Sequence, residues 1–295
     1  MQTVPRCAGY NKGELFVVCG TICSGFHYFV FLNGMMWRCG WLIRLITNYC
    51  GAIDERKVHE SMQSRYDDIM ERGAAALQEN AYTLDPYIHA LSPLPDSRRG
   101  LTLIARLHGD VKSSILDFMK EVSLMEPDQY LHDPDSLHIT VLSIISAREG
   151  YDMPSHIDRY VDIISSALKQ TSSFSINFNG VTTSPGCTLA QGYPDSLQSS
   201  ISLENMRNSL RDKLRASSAE HNMDARYPAS TAHCSIIRYR APIRNSDSLL
   251  QYLQMHRQRD FGCLHITELE LVYNDWYLTP CNTQIVATFP LDRCE

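Results

Sequence analysis

Two stretches of the chain carry the same succession of patterns. Leu101-Thr102-Leu103-Ile104-Ala105-Arg106-Leu107 reads as a strand, Val111 to Val122 has helical spacing, and Leu137 to Ile145 is again a strand. A helix at Ile157 to Leu168 and an alternating run at Phe174 to Thr182 follow. The order then returns: a short strand at Cys187 to Gln191, closed by Gly192-Tyr193-Pro194, a helix at Leu203 to Leu214, and a strand at Ala232 to Arg240. A helix near Ser246 to Met255 and strands at Leu264 to Tyr273 and Gln284 to Phe289 complete the chain. A strand–helix–strand block over 101–145 and a similar one over 187–240 predict an α+β fold. Its two pseudo-symmetric lobes of antiparallel sheet should carry helices outside and a cleft between the sheets. The repeat is one of pattern, without residue-by-residue identity.

Each block ends on a strand that carries a histidine. These strands read His138-Ile139-Thr140-Val141 and His233-Cys234-Ser235-Ile236. Side chains alternate along a strand, so His138 shares a face with Thr140 and His233 with Ser235, while Cys234 and Ile236 point to the other side. The tripeptide alone is weak evidence: four of the eleven histidines (His59, His138, His233 and His265) have Ser or Thr two positions on. His59 falls in a helical segment, where residues two apart do not share a face. His265-Ile266-Thr267 opens a strand, but Glu268 breaks the apolar flank and the stretch follows both blocks, so it is expected outside the site. What carries weight is the pairing of two such strands in two matching blocks.

Two imidazoles that titrate near neutral pH can take a proton from a nucleophile and give one to a leaving oxygen. The hydroxyls of Thr140 and Ser235 can hydrogen-bond a phosphate held between the rings. Neither motif has a carboxylate set at metal-ligand spacing, so no metal and no other cofactor is expected.

With these motifs and flanks the sequence resembles the 2H phosphoesterase superfamily, the group that includes 2',5'-RNA-ligase-like proteins and RNA cyclic phosphodiesterases. The resemblance covers roughly residues 100–290. It implies a metal-independent phosphodiesterase acting on 2',3'-cyclic phosphates or 2',5' linkages, with His138 and His233 catalytic and Thr140 and Ser235 on the phosphate. Arg238 fits an arginine that often follows the second motif, although strict alternation puts it on the face opposite His233; a bulge or twist must bring it round if it meets substrate. Arg226, Tyr227 and Tyr239 flank the motif as further substrate-binding candidates. The alternatives are a non-catalytic nucleotide- or RNA-binding module of the same fold, and a metal hydrolase that uses the histidines as ligands.

The rest of the chain bounds the partners. A formal net charge of −6 argues against a broad electrostatic grip on long nucleic acid and leaves RNA ends or small cyclic nucleotides as the expected partners. No stable protein partner is implied, and a monomer is expected. Ten cysteines, none in a CxxC pair, read as reduced thiols in a cytoplasmic setting, and Cys234 reads as core. Residues 1–60 form an extension of uncertain status, 61–99 a helix and Pro-marked linker, and 100–295 the two-lobed domain. Leu15 to Trp37 lacks acidic and basic residues and has the length of a membrane-spanning helix, so membrane association, if any, would run through 15–37. A targeting segment and a mis-assigned start, with Met62 as the alternative, are the other readings of this extension.

Overall fold

In a computed structural model the described residues are 16–22, 25–32, 35–37, 60–169, 171–225 and 229–292. The chain divides into two compact units, residues 1–54 and 55–295. In the first, β1 (Phe16–Ile22), β2 (Gly25–Leu32) and β3 (Met35–Trp37) form an antiparallel sheet in that order. The described residues of the apolar run are therefore strands and not the membrane helix that its length suggests. The run is rich in β-branched and aromatic residues, which favour a pleated ribbon. No helix among the described residues is long and apolar enough to cross a membrane.

The second unit holds two antiparallel sheets. The first has the order β12 (Gln284–Pro290), β11 (Glu268–Asn274), β4 (Arg99–Arg106), β6 (His138–Arg148). The second runs β10 (Asp260–Ile266), β7 (Phe174–Ser184), β8 (Cys187–Pro194), β9 (Cys234–Arg238), β5 (Tyr130–Leu131). The helices are α1 (60–78), α2 (Gly109–Met125), α3 (Ile157–Leu168), α4 (Leu197–Ala216) and α5 (Ser246–Met255). The α+β fold is thus built from two lobes. In each, a pair of neighbouring strands (β4 and β6, β8 and β9) is joined through a helix (α2, α4), and the second strand of the pair carries a histidine motif.

Three features differ from the sequence reading. The run Leu264 to Tyr273 is two strands: the chain leaves the second sheet after Ile266 and enters the first at Glu268. The apolar positions change phase at Thr267-Glu268, from Leu264 and Ile266 to Leu269 and Leu271, and this break in the alternation falls where the chain changes sheet. Strand β8 runs on through Gly192 to Pro194, because a Cβ at Gly192 would lie 2.2 Å from the Ala232 carbonyl oxygen and only glycine lets the two backbones approach this closely. Helix α1 is more than a surface helix. Its Tyr66 is fully buried, donates to the Gly192 carbonyl at 3.0 Å and meets the Tyr193 ring edge-on at 5.3 Å.

One contiguous core underlies both lobes. It takes Leu101 and Leu103 from β4, Ile115 and Phe118 from α2, Ile139 and Val141 from β6, and Cys234 and Ile236 from β9. The residues alternating with the motif histidines and hydroxyls are therefore the ones buried in the core, and the motif side chains are left at the surface of the cleft.

Candidate active site

Strands β6 and β9 belong to different sheets and meet through their motifs. The His138 main-chain N–H reaches the Cys234 thiol, and the charge state of His138 acts on His233. His138, Thr140, His233 and Ser235 are all half-buried, whereas Ile139, Val141, Cys234 and Ile236 are buried. The four candidates thus lie on the half-buried faces of two strands that meet at His138 and His233.

Both strands are bulged at the same motif position. Leu103 pairs with Leu142 and Ile104 with Thr140, which leaves Val141 as an extra residue on β6. Thr188 pairs with Ile237 and Leu189 with Ser235, which leaves Ile236 as an extra residue on β9. A bulge turns the following side chains by one position. Beyond it, Leu142 and Ile237 are buried and Ser143 and Arg238 come to the half-buried face. This is how Arg238 reaches the side of His233 that strict alternation denies it, and its positive charge acts on both motif histidines. Arg238 lies 3.7 Å from Asp85 and within 6 Å of the Trp276 and Tyr277 ring centres, and its Nε has no hydrogen-bond partner among the described residues.

Each imidazole is held from two residues upstream. His138 Nδ1 donates to the Ser136 carbonyl at 2.6 Å, and His233 Nδ1 lies 2.7 Å from Thr231 Oγ1. The Nε2 atoms make no hydrogen bond among the described residues and are free for a ligand. A carbonyl only accepts, so neutral His138 carries its proton on Nδ1 and presents a bare Nε2. A hydroxyl can donate or accept, so His233 can take either tautomer. Burial in the cleft depresses both rings to about 4; Arg106 and Arg238 add to this at His138, against the Ser136 carbonyl that raises it, and His138, Arg207 and Arg238 add to it at His233. Both are neutral at pH 7 in the unliganded cleft. A third histidine, His132, is 3 % exposed beside Arg238, and burial pushes it well below the ordinary range.

Among the other sequence candidates, Tyr239 is a correction. Its ring is 1 % exposed and its hydroxyl sits 2.6 Å from Thr183 Oγ1 and 3.3 Å from Thr188 Oγ1, so it belongs to the core and cannot meet a substrate. Arg226 and Tyr227 lie outside the described residues. His265 is exposed on β10, the far edge of the second sheet, with Nδ1 3.0 Å from Ser175 Oγ. Beside the first motif, Arg106 pairs in register with His138, is bound to Glu270 at 2.7 Å, and lines a groove of about 350 Å³ with Lys112, Asp135 and Pro280. Among the described residues, no group of three or more His, Cys, Asp or Glu side chains is placed to hold a metal ion.

Sequence reasoning missed Arg106, Thr231 and the buried Arg207. The signal for Thr231 was present: both motifs extend upstream by a hydroxyl residue, as Ser136-Leu137-His138-Ile139-Thr140 and Thr231-Ala232-His233-Cys234-Ser235. Arg207 carries no such signal, because it lies in the helix between β8 and β9.

Two lobes, each with a bulged histidine strand facing the other, define a protein of the 2H phosphoesterase type. The chain belongs to the 2'-5' RNA ligase superfamily, whose family model matches residues 111–276. Comparison with curated proteins gives no match. Similar solved structures include TT0787 of Thermus thermophilus, at 16% identity and TM-score 0.49, covering 67% of this chain and 100% of that one. E. coli LigT, solved with ATP, has 11% identity and TM-score 0.44 over 66% of this chain and 99% of its own. ATU0111 from Agrobacterium tumefaciens, a conserved protein of unknown function, has 18% identity and TM-score 0.39 over 66% and 87%.

Proposed function

We propose that the chain is a phosphodiesterase that opens 2',3'-cyclic phosphates or cleaves 2',5'-linked ribonucleotides by two-histidine acid–base catalysis, without a metal in the chemical step. The observation that carries this is the matched pair of imidazoles, each anchored through Nδ1 and each offering Nε2 to one cleft. His138, with its bare Nε2, is suited to take the proton of an attacking water. His233, whose Thr231 contact tolerates a proton on either nitrogen, is suited to deliver one to the leaving ribose oxygen. The P–O bond to water forms as the bond to ribose breaks, one proton enters at His138 and one leaves from His233, and the product is a phosphomonoester. The roles exchange in the reverse direction. Thr140 and Ser235 would donate to the non-bridging oxygens, and Arg238 would balance their charge. The groove beside Arg106 gives room for a neighbouring nucleotide.

The test is hydrolysis of a panel of 2',3'-cyclic nucleotides and 2',5'- and 3',5'-linked dinucleotides in the presence of a strong chelator. Turnover in chelator, lost in His138→Ala and His233→Ala, is the expected result. Unchanged activity in both variants overturns the reading. Tight binding of these ligands without turnover would select a nucleotide-binding module instead.

A further inference from the structure

The bulge in β6 creates a problem that the sequence of β6 cannot solve. An extra residue in a strand takes main-chain groups out of the ladder, and buried carbonyls need donors. In the second lobe the equivalent carbonyl, that of Ile236, accepts the His132 main-chain N–H at 3.0 Å from the chain leaving β5. The first lobe has no strand on that side of β6 among the described residues. A side chain from the other lobe takes the place: Arg207 of α4, fully buried, donates from Nε to the Val141 carbonyl at 3.1 Å and from Nη2 to the Thr140 carbonyl at 3.3 Å. The same Nη2 donates to the Thr231 carbonyl at 2.8 Å. Thr231 is the residue whose hydroxyl holds His233.

We propose that Arg207 is the positioning residue of the site: one guanidinium clamps the Thr140–Val141 bulge of one motif strand to the Thr231 support of the other, and so sets the separation of the two histidines. The planar fork suits this task, since three acceptors from two chain segments lie within reach of one rigid group. Among the described residues no carboxylate lies within ion-pair distance of Arg207; carbonyl oxygens make its direct contacts, the Glu204 charge acts on it from farther off, and the guanidinium stands behind the cleft as a fixed positive centre. It remains protonated at neutral pH, although burial lowers it to about 10. The groups that face His233 are His138 from β6, Arg238 from β9 and Arg207 from α4, all of which disfavour a proton on the ring. An anionic ligand gains from the same field that the proton avoids. The clamp is thus both a geometric device, acting through the residues it holds, and an electrostatic one, acting through its field on His233 and on a bound anion.

The catalytic part of this inference rests on the phosphodiesterase reading, so the test has arms that need no turnover. Arg207→Lys keeps the charge and loses the fork; Arg207→Met loses both. Imidazole titrations by NMR and binding of inorganic phosphate are measured on the unliganded full chain, and kcat and KM for a cyclic nucleotide are measured separately. In Arg207→Met, His233 should titrate at higher pH and phosphate should bind several-fold more weakly. In Arg207→Lys, the titration and phosphate binding should stay close to those of the native chain, while kcat falls roughly 10²-fold with little change in KM, because a misplaced pair costs rate more than affinity. A folded Arg207→Lys with native kcat, or a folded Arg207→Met with native titration and phosphate binding, overturns the proposal. If Arg207→Met does not fold, the kcat of Arg207→Lys decides. Absence of hydrolysis by the native chain would overturn the phosphodiesterase reading, and the titration and phosphate arms would still decide the electrostatic role of Arg207.

Discussion

The two motif strands are nearly the same device supported in two different ways. Both carry a histidine, a hydroxyl two residues on, and a bulge directly after it. In β9 the bulge carbonyl is met by main chain, the histidine by a threonine side chain, and the position beyond the bulge is Arg238. In β6 the bulge carbonyl is met by a side chain, Arg207, the histidine by a main-chain carbonyl, and the position beyond the bulge is Ser143. Cationic charge enters the first lobe from the neighbouring strand, through Arg106, rather than from the motif strand itself. The difference teaches that the repeat preserves where the motif side chains stand and leaves free which groups hold them there. Asymmetric support also allows the two imidazoles different proton arrangements, with Nδ1–H fixed at His138 and either tautomer open to His233, as the proposed acid–base reading requires.

The largest effects should come from the histidines. Replacing either with alanine should lower turnover by roughly 10² to 10⁴, and comparable losses at both sites would establish the pairing. A large loss at one only would break the comparison between the lobes. Next come the hydroxyls: Thr140→Val and Ser235→Ala should each cost on the order of 10² in kcat, while Thr140→Ser and Ser235→Thr, which keep the donor, should restore most of it. Steady-state kinetics on the four variants would show whether both hydroxyls touch the same transition state.

The contrast in support gives a smaller effect. Thr231→Val removes the hydroxyl that holds His233 and should slow turnover up to about tenfold, the worth of one hydrogen bond. Ser136→Ala should cost less, because His138 is held by the carbonyl, which that substitution retains. Equal losses would mean that the two rings are not held in the ways described.

Proton linkage separates the free and liganded site. Both rings stay neutral in the free cleft down to about 4, so if one must be protonated, kcat/KM should rise as pH falls from 7 toward 5. A bound phosphate anion favours that proton, so the kcat profile should lie at higher pH; coincident profiles would argue against a protonated imidazole in the complex. The smallest effect concerns stability. The histidines titrate near the ordinary 6.5 in the unfolded chain and about 4 in the folded one. Between these values the unfolded chain binds more protons, so stability is level above 6.5 and falls as pH drops toward 4. Urea midpoints at pH 7 and pH 5 should differ less in a His138→Asn, His233→Asn double variant than in the native chain.

Much of this architecture was legible in one sequence. The strand and helix order followed from periodicity, and Leu137 to Ile145 and Ser246 to Met255 have clear apolar spacing that local structure obeys. A phase break at Thr267-Glu268, where the apolar positions pass from Leu264 and Ile266 to Leu269 and Leu271, marks the end of one strand, but nothing local records which sheet each strand joins. Tyr239 failed as a site candidate for a similar reason: next to a motif in sequence, it follows the bulge on the core side and hydrogen-bonds to Thr183 and Thr188 of two other strands. The apolar run at 15–37 has the composition of a span, but its described residues form strands.

The sequence by itself determined which side chains face the cleft, since alternation on a strand is a local property: His138 with Thr140, His233 with Ser235, and the apolar residues between them in the core. Tertiary structure decided everything that depends on an extra residue in a strand or on a group from elsewhere in the chain. The bulges at Val141 and Ile236 are defined only against the neighbouring strands, and they bring Arg238 to the face from which its position in the sequence excluded it. Arg207, 66 residues from one carbonyl it binds and 24 from another, joins the two motifs because folding buries a bulge whose carbonyls need a donor. Local patterning fixes direction along a strand; the unpaired backbone groups left by folding fix which distant side chain must come to meet them.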